Sequence, residues 1–206
     1  MPSAKHTAVV FDLGGVLIEW NPRHLYRKRF GGDEAAMEHF LTHVCTPEWN
    51  IRQDAGRTFA EASEPLCRAH PQLREHIEAW LPGFDEMMPG AIQGTVDILA
   101  ELRARGTPLY ALSNWSAETF PYALKRFDFL SWFADIVVSG KLKLIKPDPA
   151  IFQHLLTTHR LQPEQTIFID DAPHNVAGAA AVGLHALHFT SPDALRQQLV
   201  ALGLLE

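Results

Sequence analysis

The stretch Val9-Val10-Phe11-Asp12-Leu13-Gly14-Gly15-Val16-Leu17 decides how the chain is read. It is a short apolar run, rich in β-branched residues, that halts at a carboxylate and passes into a Gly-Gly turn. A buried parallel strand that delivers one side chain to the edge of a sheet has this pattern. Loop composition alone makes Asp12 a turn residue. Its significance rests on what else reaches the same edge.

Downstream of this strand the character of the chain changes. Asn21-Pro22 has the form of a helix start, a capping Asn followed by Pro at the first helical position. The spacing predicts helices over 22–30, 33–44, 58–69 and 72–81, with Thr58 and Glu61 at capping-box distance and no convincing strand between them. Phe40, Leu41 and Val44, and again Leu73, Ile77 and Trp80, recur at helical spacing and form the expected interior of a small bundle. Residues 18–89 therefore read as a helical module inserted after the first strand.

Beyond Pro89-Gly90 strands and helices alternate. Val96, Leu99 and Leu102 mark a helix face that ends at Gly106, and Leu109 to Leu112 is a strand stopping at Ser113-Asn114. A helix over 116–126 and a strand over 135–138 follow, and then a helix opening at Asp148-Pro149. Thr166 to Ile169 is a strand that stops at Asp170-Asp171; a small-residue helix over 177–182, a strand over 184–189 and a helix capped by Ser191-Pro192 complete the series. Such alternation means an α/β fold with a Rossmann-like, doubly wound parallel sheet. The expected domains are a core of 1–17 plus 90–206 and the helical insertion 18–89.

Bulk properties narrow the function. A chain of 206 residues buries one substantial core, and 47% hydrophobic with 20% charged residues is ordinary for a globular protein. A formal net charge of -6 without a basic stripe argues against nucleic acid, and no basic amphipathic helix argues for a membrane surface. The expected partner is a small molecule; oligomeric state is left open. Cys45 and Cys67 lack paired-motif spacing and fit free thiols in a reducing compartment. The polar opening Met1 to Thr7, with the short apolar run after it, does not have the form of a signal peptide or span, so the expected location is cytoplasmic.

Ligands of open parallel sheets bind outside the carboxyl ends of the strands. Three strands here end in polar residues: Asp12, Ser113-Asn114 and Asp170-Asp171, with Lys146 before Asp148-Pro149 as the nearest candidate cation. Clustered carboxylates repel and need a proton or a cation, and hard oxygen ligands of this kind suit Mg²⁺ completed by a substrate phosphate. A phosphate would meet the metal, Lys146, the Ser113 hydroxyl and backbone N–H groups of the Gly14-Gly15 turn. Asp12 would then attack phosphorus in line, forming an aspartyl-phosphate. His39, His43 and Cys45 have a spacing that could hold zinc but lack a fourth ligand; solvent-facing histidines are the expectation.

Four ordered motifs carry a resemblance to a known family: Phe11 to Leu17, Leu112-Ser113-Asn114, Lys146-Pro147-Asp148-Pro149, and Phe168-Ile169-Asp170-Asp171 with Asn175 beyond. Together they resemble the haloacid dehalogenase superfamily of hydrolases. The resemblance is to its phosphatase branch with a helical cap after the first motif. Gly14 included, the layout is similar to the bacterial glucose-1-phosphate phosphatases. The resemblance implies Asp12 as nucleophile, Ser113 on the transferred group, Lys146 paired to Asp12, and Asn175 supporting the loop. It implies Mg²⁺ on Asp12, the Gly14 carbonyl, Asp170 and Asp171. Family phosphatases usually carry a second Asp two residues after the nucleophile as general acid and base, and here that position is Gly14. Loss of such help costs about 10² to 10⁴ in rate, so an activated leaving group such as a sugar 1-phosphate is expected. Alternatives are a 2-haloacid dehalogenase, disfavoured by Asp170-Asp171, and a catalytically weak phosphosugar-binding regulator, for which Gly14 speaks. Substrate contacts are expected from Gly15, Asn114, Glu19, Trp20, Asn21 and Arg23, with Gln53, Asp54 and Arg57 as a second patch.

Overall fold

The computed structural model describes residues 6–206, so the first five residues of the expected opening segment lie outside it. Strand β1 (Ala8–Phe11) is followed by α1 (Arg23–Arg29), α2 (Glu34–His43), α3 (Pro47–Asp54), α4 (Phe59–Ala69) and α5 (Arg74–Glu78). The alternating part then runs α6 (Gln93–Ala104), β2 (Leu109–Ser113), α7 (Phe120–Arg126), β3 (Asp135–Val138), α8 (Ser139–Leu142) and α9 (Pro149–His159). It ends with β4 (Thr166–Asp170), α10 (Pro173–Ala181), β5 (His185–His188) and α11 (Pro192–Ala201).

The strands form one parallel sheet in the order β3-β2-β1-β4-β5, which places β1 in the centre with the two other polar-ended strands on either side. Both faces are covered, as a parallel sheet requires. Val10, Leu112, Val137 and Phe168 point to one face and pack with Ile151, Phe152 and Leu155 of α9 and Ala179 of α10. Val9, Phe11, Ala111, Ile167 and Ile169 point to the other, where their cluster takes in Leu99 of α6 and Leu195 of α11. It continues without a break into the helical segment through Tyr26, Phe40, Trp49 and Trp80.

Where element bounds depart from the sequence reading, local chemistry accounts for it. The expected helix over 72–81 is a 3₁₀ turn (Pro71–Leu73) followed by the short α5, and Pro82-Gly83 lie just beyond, where a helix cannot continue. The helix expected from residue 116 begins only at Phe120, because the Ser116 hydroxyl accepts the Glu118 N–H at 3.2 Å and closes a separate turn. The helix expected from residue 177 starts at Pro173, whose fixed φ suits the first helical turn. Helix α3 is an addition: Thr46 accepts the Trp49 N–H at 3.1 Å and Pro47 follows it, a cap-and-proline start. At α4, Thr58 and Glu61 form the full capping box. Among the described residues no helix is long and apolar enough to cross a membrane.

Candidate active site

The floor of the site follows from register. Phe11 pairs with Ile169, and the Asp12 N–H continues the ladder to the Ile169 carbonyl at 2.8 Å, so Asp12 and Asp170 emerge level at the sheet edge. Ser113, the last residue of β2, reaches in from the other side and donates its hydroxyl to Asp12 Oδ1 at 2.8 Å. The Leu13 N–H donates to the same oxygen at 2.7 Å. Lys146 is buried between two carboxylates, with Nζ 2.9 Å from Asp12 Oδ2 and 2.6 Å from Asp170 Oδ2. Asn114 holds that lysine by its backbone, donating to the Lys146 carbonyl at 3.0 Å and accepting its N–H at 2.8 Å. Asn175 donates to both oxygens of Asp170 at 3.1 and 3.2 Å, and the Ala172 N–H adds a further bond at 2.9 Å.

Electrostatics at this edge is unbalanced. Burial pushes the Asp12 carboxyl up to about 7; Lys146 opposes the rise and Asp170 adds to it. Burial works against the Lys146 ammonium, but the carboxylates of Asp12 and Asp170 outweigh it and hold its pKa above the ordinary lysine value. Asp171, half-exposed, is also shifted up by burial and by Asp170. One ligand oxygen from each of Asp12, Asp170 and Asp171 lies within 4.8 Å of the others. Three carboxylates against one ammonium leave two negative charges unbalanced at full ionisation. The Asp171 carboxylate receives no hydrogen bond from another side chain among the described residues, although its backbone carbonyl meets His188 Nε2 at 3.0 Å. A set of hard oxygens with spare charge is compatible with Mg²⁺.

The turn after Asp12 is held by Gly15, whose N–H donates to the Ile18 carbonyl at 2.9 Å. Its φ of 74° favours glycine, and a Cβ there would collide with the Asp171 carboxylate. The Gly15 N–H is thus already used, which corrects its expected role as an anion donor; the N–H and carbonyl of Gly14 take no part in these bonds. Gly14 itself is under no such constraint, and a Cβ built on it meets no atom within 4 Å.

Above this floor lies a cavity of about 240 Å³ lined by Asp12, Gly14, Gly15, Ser113, Asn114, Trp115 and Asp171 from the sheet side. Trp20, Asn50, Asp54 and Phe84 line it from the helical segment. Of the contacts expected just after the first motif, Trp20 reaches the cavity and three residues do not. Glu19 pairs with His24 at 3.0 Å. The Asn21 side chain accepts the Arg23 N–H at 3.0 Å. Arg23 is clamped by both oxygens of Glu38 at 2.5 and 2.7 Å. These polar groups found partners within the helical segment, leaving the indole to face the cavity. In the second patch Gln53 and Arg57 bond to each other and to the Trp49 carbonyl, and Asp54 alone lines the cavity. Asn50, Phe84 and Trp115 were not singled out by sequence; the cap-and-proline start of α3 was the available signal for Asn50. His39 and His43 stack on each other at 4.5 Å on an exposed helix face beside a buried Cys45, and form no metal-binding group with it.

A family model for haloacid dehalogenase-like hydrolases matches residues 6–183. An acyl-CoA dehydrogenase family member 10 of Mus musculus is 31% identical over 96% of this chain, which spans only 19% of that protein. A sesquiterpene phosphatase of Aspergillus oryzae is 28% identical over 93% of this chain and 94% of its own length. Among solved structures, an enzyme of the same family from Bacteroides thetaiotaomicron, in complex with magnesium and inorganic phosphate, superposes with a TM-score of 0.69. It is 22% identical and covers 90% of this chain and 95% of its own. An L-2-haloacid dehalogenase from Xanthobacter autotrophicus shares the fold at a TM-score of 0.62, with 16% identity over 95% of this chain and 83% of its own.

Proposed function

This chain belongs to the haloacid dehalogenase-like hydrolases, and from that premise we propose that it is a Mg²⁺-dependent phosphomonoester hydrolase working through an aspartyl-phosphate. The observation that carries the reading is Asp12 held between Ser113 and Lys146, with the carboxylates of Asp170 and Asp171 beside it. Asp12 is the nucleophile. Ser113 and Leu13 fix one of its oxygens by hydrogen bonds, and Lys146 favours the ionised carboxylate that attacks. Asn114 and Asn175 position Lys146 and Asp170, and Asn114 also lines the substrate cavity. Asp12, Asp170, Asp171 and the Gly14 carbonyl would hold Mg²⁺. The ion supplies charge neutralisation for the transferred phosphoryl group.

The helical segment 18–89 serves as a cap that closes the cavity and sets the substrate. A volume of about 240 Å³ falls below the roughly 300–1,000 Å³ of typical small-molecule sites, which favours a small phosphorylated metabolite. Trp20, Phe84 and Trp115 offer it an aromatic wall suited to the C–H face of a sugar ring, and a sugar phosphate is the proposed class. The dehalogenase fold match does not favour attack on carbon, because Asp170 and Asp171 would repel a carboxylate substrate.

The test is phosphate release from 4-nitrophenyl phosphate and a panel of sugar phosphates at saturating Mg²⁺. Turnover should disappear on chelation and in Asp12→Asn. Turnover no higher than that variant's, or chloride release from a 2-chloroacid without metal, removes the reading.

A further inference from the structure

The cavity contains a second carboxyl that the scheme above leaves idle. Asp54, the last residue of α3, lines the cavity opposite Asp12. It has no cationic partner among the described residues. The Asn50 side chain donates to its Oδ2 at 3.2 Å. Its backbone is fastened to the sheet side, because the Asp54 carbonyl accepts the Ser139 hydroxyl at 2.6 Å and that hydroxyl also accepts the Trp115 N–H at 2.9 Å. Two residues on, Gly56 has φ 98°, and a Cβ there would press on Lys143 and on the Gly140 carbonyl at 3.2 Å. The helical segment thus meets α8 closely at the point that bears Asp54.

We propose that Asp54 is the proton donor and acceptor of the reaction, replacing from the helical segment the side chain that Gly14 lacks. The inference rests on the phosphatase reading. In the first half-reaction an Asp12 oxygen bonds to phosphorus, the bond from phosphorus to the leaving oxygen breaks, and the Asp54 proton passes to that oxygen to release an alcohol. In the second, water bonds to phosphorus and gives its proton to the Asp54 carboxylate, and the bond from phosphorus to Asp12 breaks, regenerating both groups.

Burial raises the Asp54 carboxyl to about 8, with Asp12 adding to the rise and the Ser116 N–H opposing it, so it carries its proton at neutral pH. Asp12 and Asp171 are the other titratable groups lining the cavity; Lys146 and Asp170 lie behind Asp12, Lys143 lies behind Gly56, and Arg57 is engaged with Gln53. A merely structural residue in this place would serve as well as an amide, since a half-buried carboxyl without a cation costs stability.

Full-length wild type, Asp54→Asn and Asp54→Asn/Gly14→Asp are compared on benzyl phosphate and 4-nitrophenyl phosphate, substrates of similar bulk whose leaving groups differ in acidity. Asp54→Asn should melt as wild type does and lose about 10²- to 10⁴-fold in kcat on benzyl phosphate. On 4-nitrophenyl phosphate it should release a burst of phenolate stoichiometric with enzyme, followed by slow turnover. Gly14→Asp in that background, where a side chain has room, should recover at least tenfold on benzyl phosphate. Absence of a burst on 4-nitrophenyl phosphate, or a folded double variant without recovery, overturns the inference and leaves the phosphatase reading standing. Wild-type turnover no higher than that of Asp12→Asn overturns the phosphatase reading, and the inference falls with it.

Discussion

The floor and the roof of the cavity solve one problem in opposite ways. On the floor, charges are packed into a saturated network in which Asp12, Lys146 and Asp170 are buried and each is held by at least two partners. On the roof, the helical segment presents three kinds of group, the Trp20 and Phe84 rings, the Asn50 amide and the uncompensated Asp54 carboxyl. The floor binds its charges so tightly that none can move without disturbing the others. The roof contains a carboxyl, Asp54, that can exchange a proton without breaking an ion pair. On the proposed reading, generic attack on phosphorus belongs to the sheet edge, and selection among leaving groups belongs to the helices.

The sharpest way to break this contrast is at Lys146. Lys146→Met removes the only ammonium between Asp12 and Asp170 and leaves two carboxylates facing each other in a buried site. Breaking a buried pair costs about 3–5 kcal/mol. At roughly 2–4 °C per kcal/mol for a chain of this size, that lowers Tm by about 6–20 °C by calorimetry, and turnover should vanish with it. A floor variant that melted like wild type would mean the charges are not coupled as described. Asp54→Asn on the roof should show the reverse pattern, lost alkyl turnover with Tm retained.

A pH titration separates the two regions next. Asp12 and Asp54 sit at about 7 and about 8 in the folded protein, against an ordinary value of 3.8 for each. Between that value and the raised one the folded state holds protons that the unfolded chain has released, so stability falls as pH rises through the window. The metal-free protein should therefore lose Tm steadily from about pH 5 to pH 8. Mg²⁺ competes with the proton on Asp12, so its affinity, measured by titration calorimetry, should weaken below pH 7 by up to about tenfold per unit. Saturating Mg²⁺ should flatten the Asp12 part of the stability profile and leave the Asp54 part. A metal-free Tm that climbs with pH over this range would overturn the account of both carboxyls.

The same division explains what the sequence made legible. The floor could be read because each of its residues ends a strand or opens the following loop, and parallel order then brings Asp12, Ser113 and Asp170 together without further information. The helical character of residues 18–89 was equally plain from spacing and caps. Helix α3 was missed although Thr46-Pro47 announced it, because its mean apolar character is low and its buried face is carried by Trp49 and Gln53 alone. Which residues of the helical segment face the cavity depends on how that segment lies against the sheet, and no local pattern encodes this. Nearness in sequence to Asp12 therefore proposed Glu19, Asn21 and Arg23, while Asn50 and Phe84 came from further along the chain.

Trp20 gives a smaller effect on the roof itself. The ring lies 6.4 Å from Phe84, centroid to centroid, and forms part of the aromatic wall. Contacts of this kind are worth about 0.5–1.5 kcal/mol beyond area, or roughly two- to twelvefold in binding. Trp20→Leu should raise KM for a sugar phosphate by that factor while kcat and burst amplitude stay near wild type. A fall in kcat with KM unchanged would place Trp20 in the chemistry and blur the line between floor and roof.

The smallest expected effect is at Arg23, and it tests whether distance in space outranks distance in sequence. Arg23 lies only eleven residues from Asp12, but its guanidinium is clamped by Glu38 on the neighbouring helix and does not line the cavity. Both side chains are about two-fifths exposed, so solvent screens the pair and its contribution is at most about 1 kcal/mol. Arg23→Ala should lower Tm by no more than about 4 °C and leave KM and kcat within twofold for every phosphate tested. A large rise in KM would require Arg23 to leave Glu38 and swing over the floor when substrate binds. The helical segment would then recognise the phosphoryl group as well as the leaving group, and the division of labour between floor and roof would be lost at that residue.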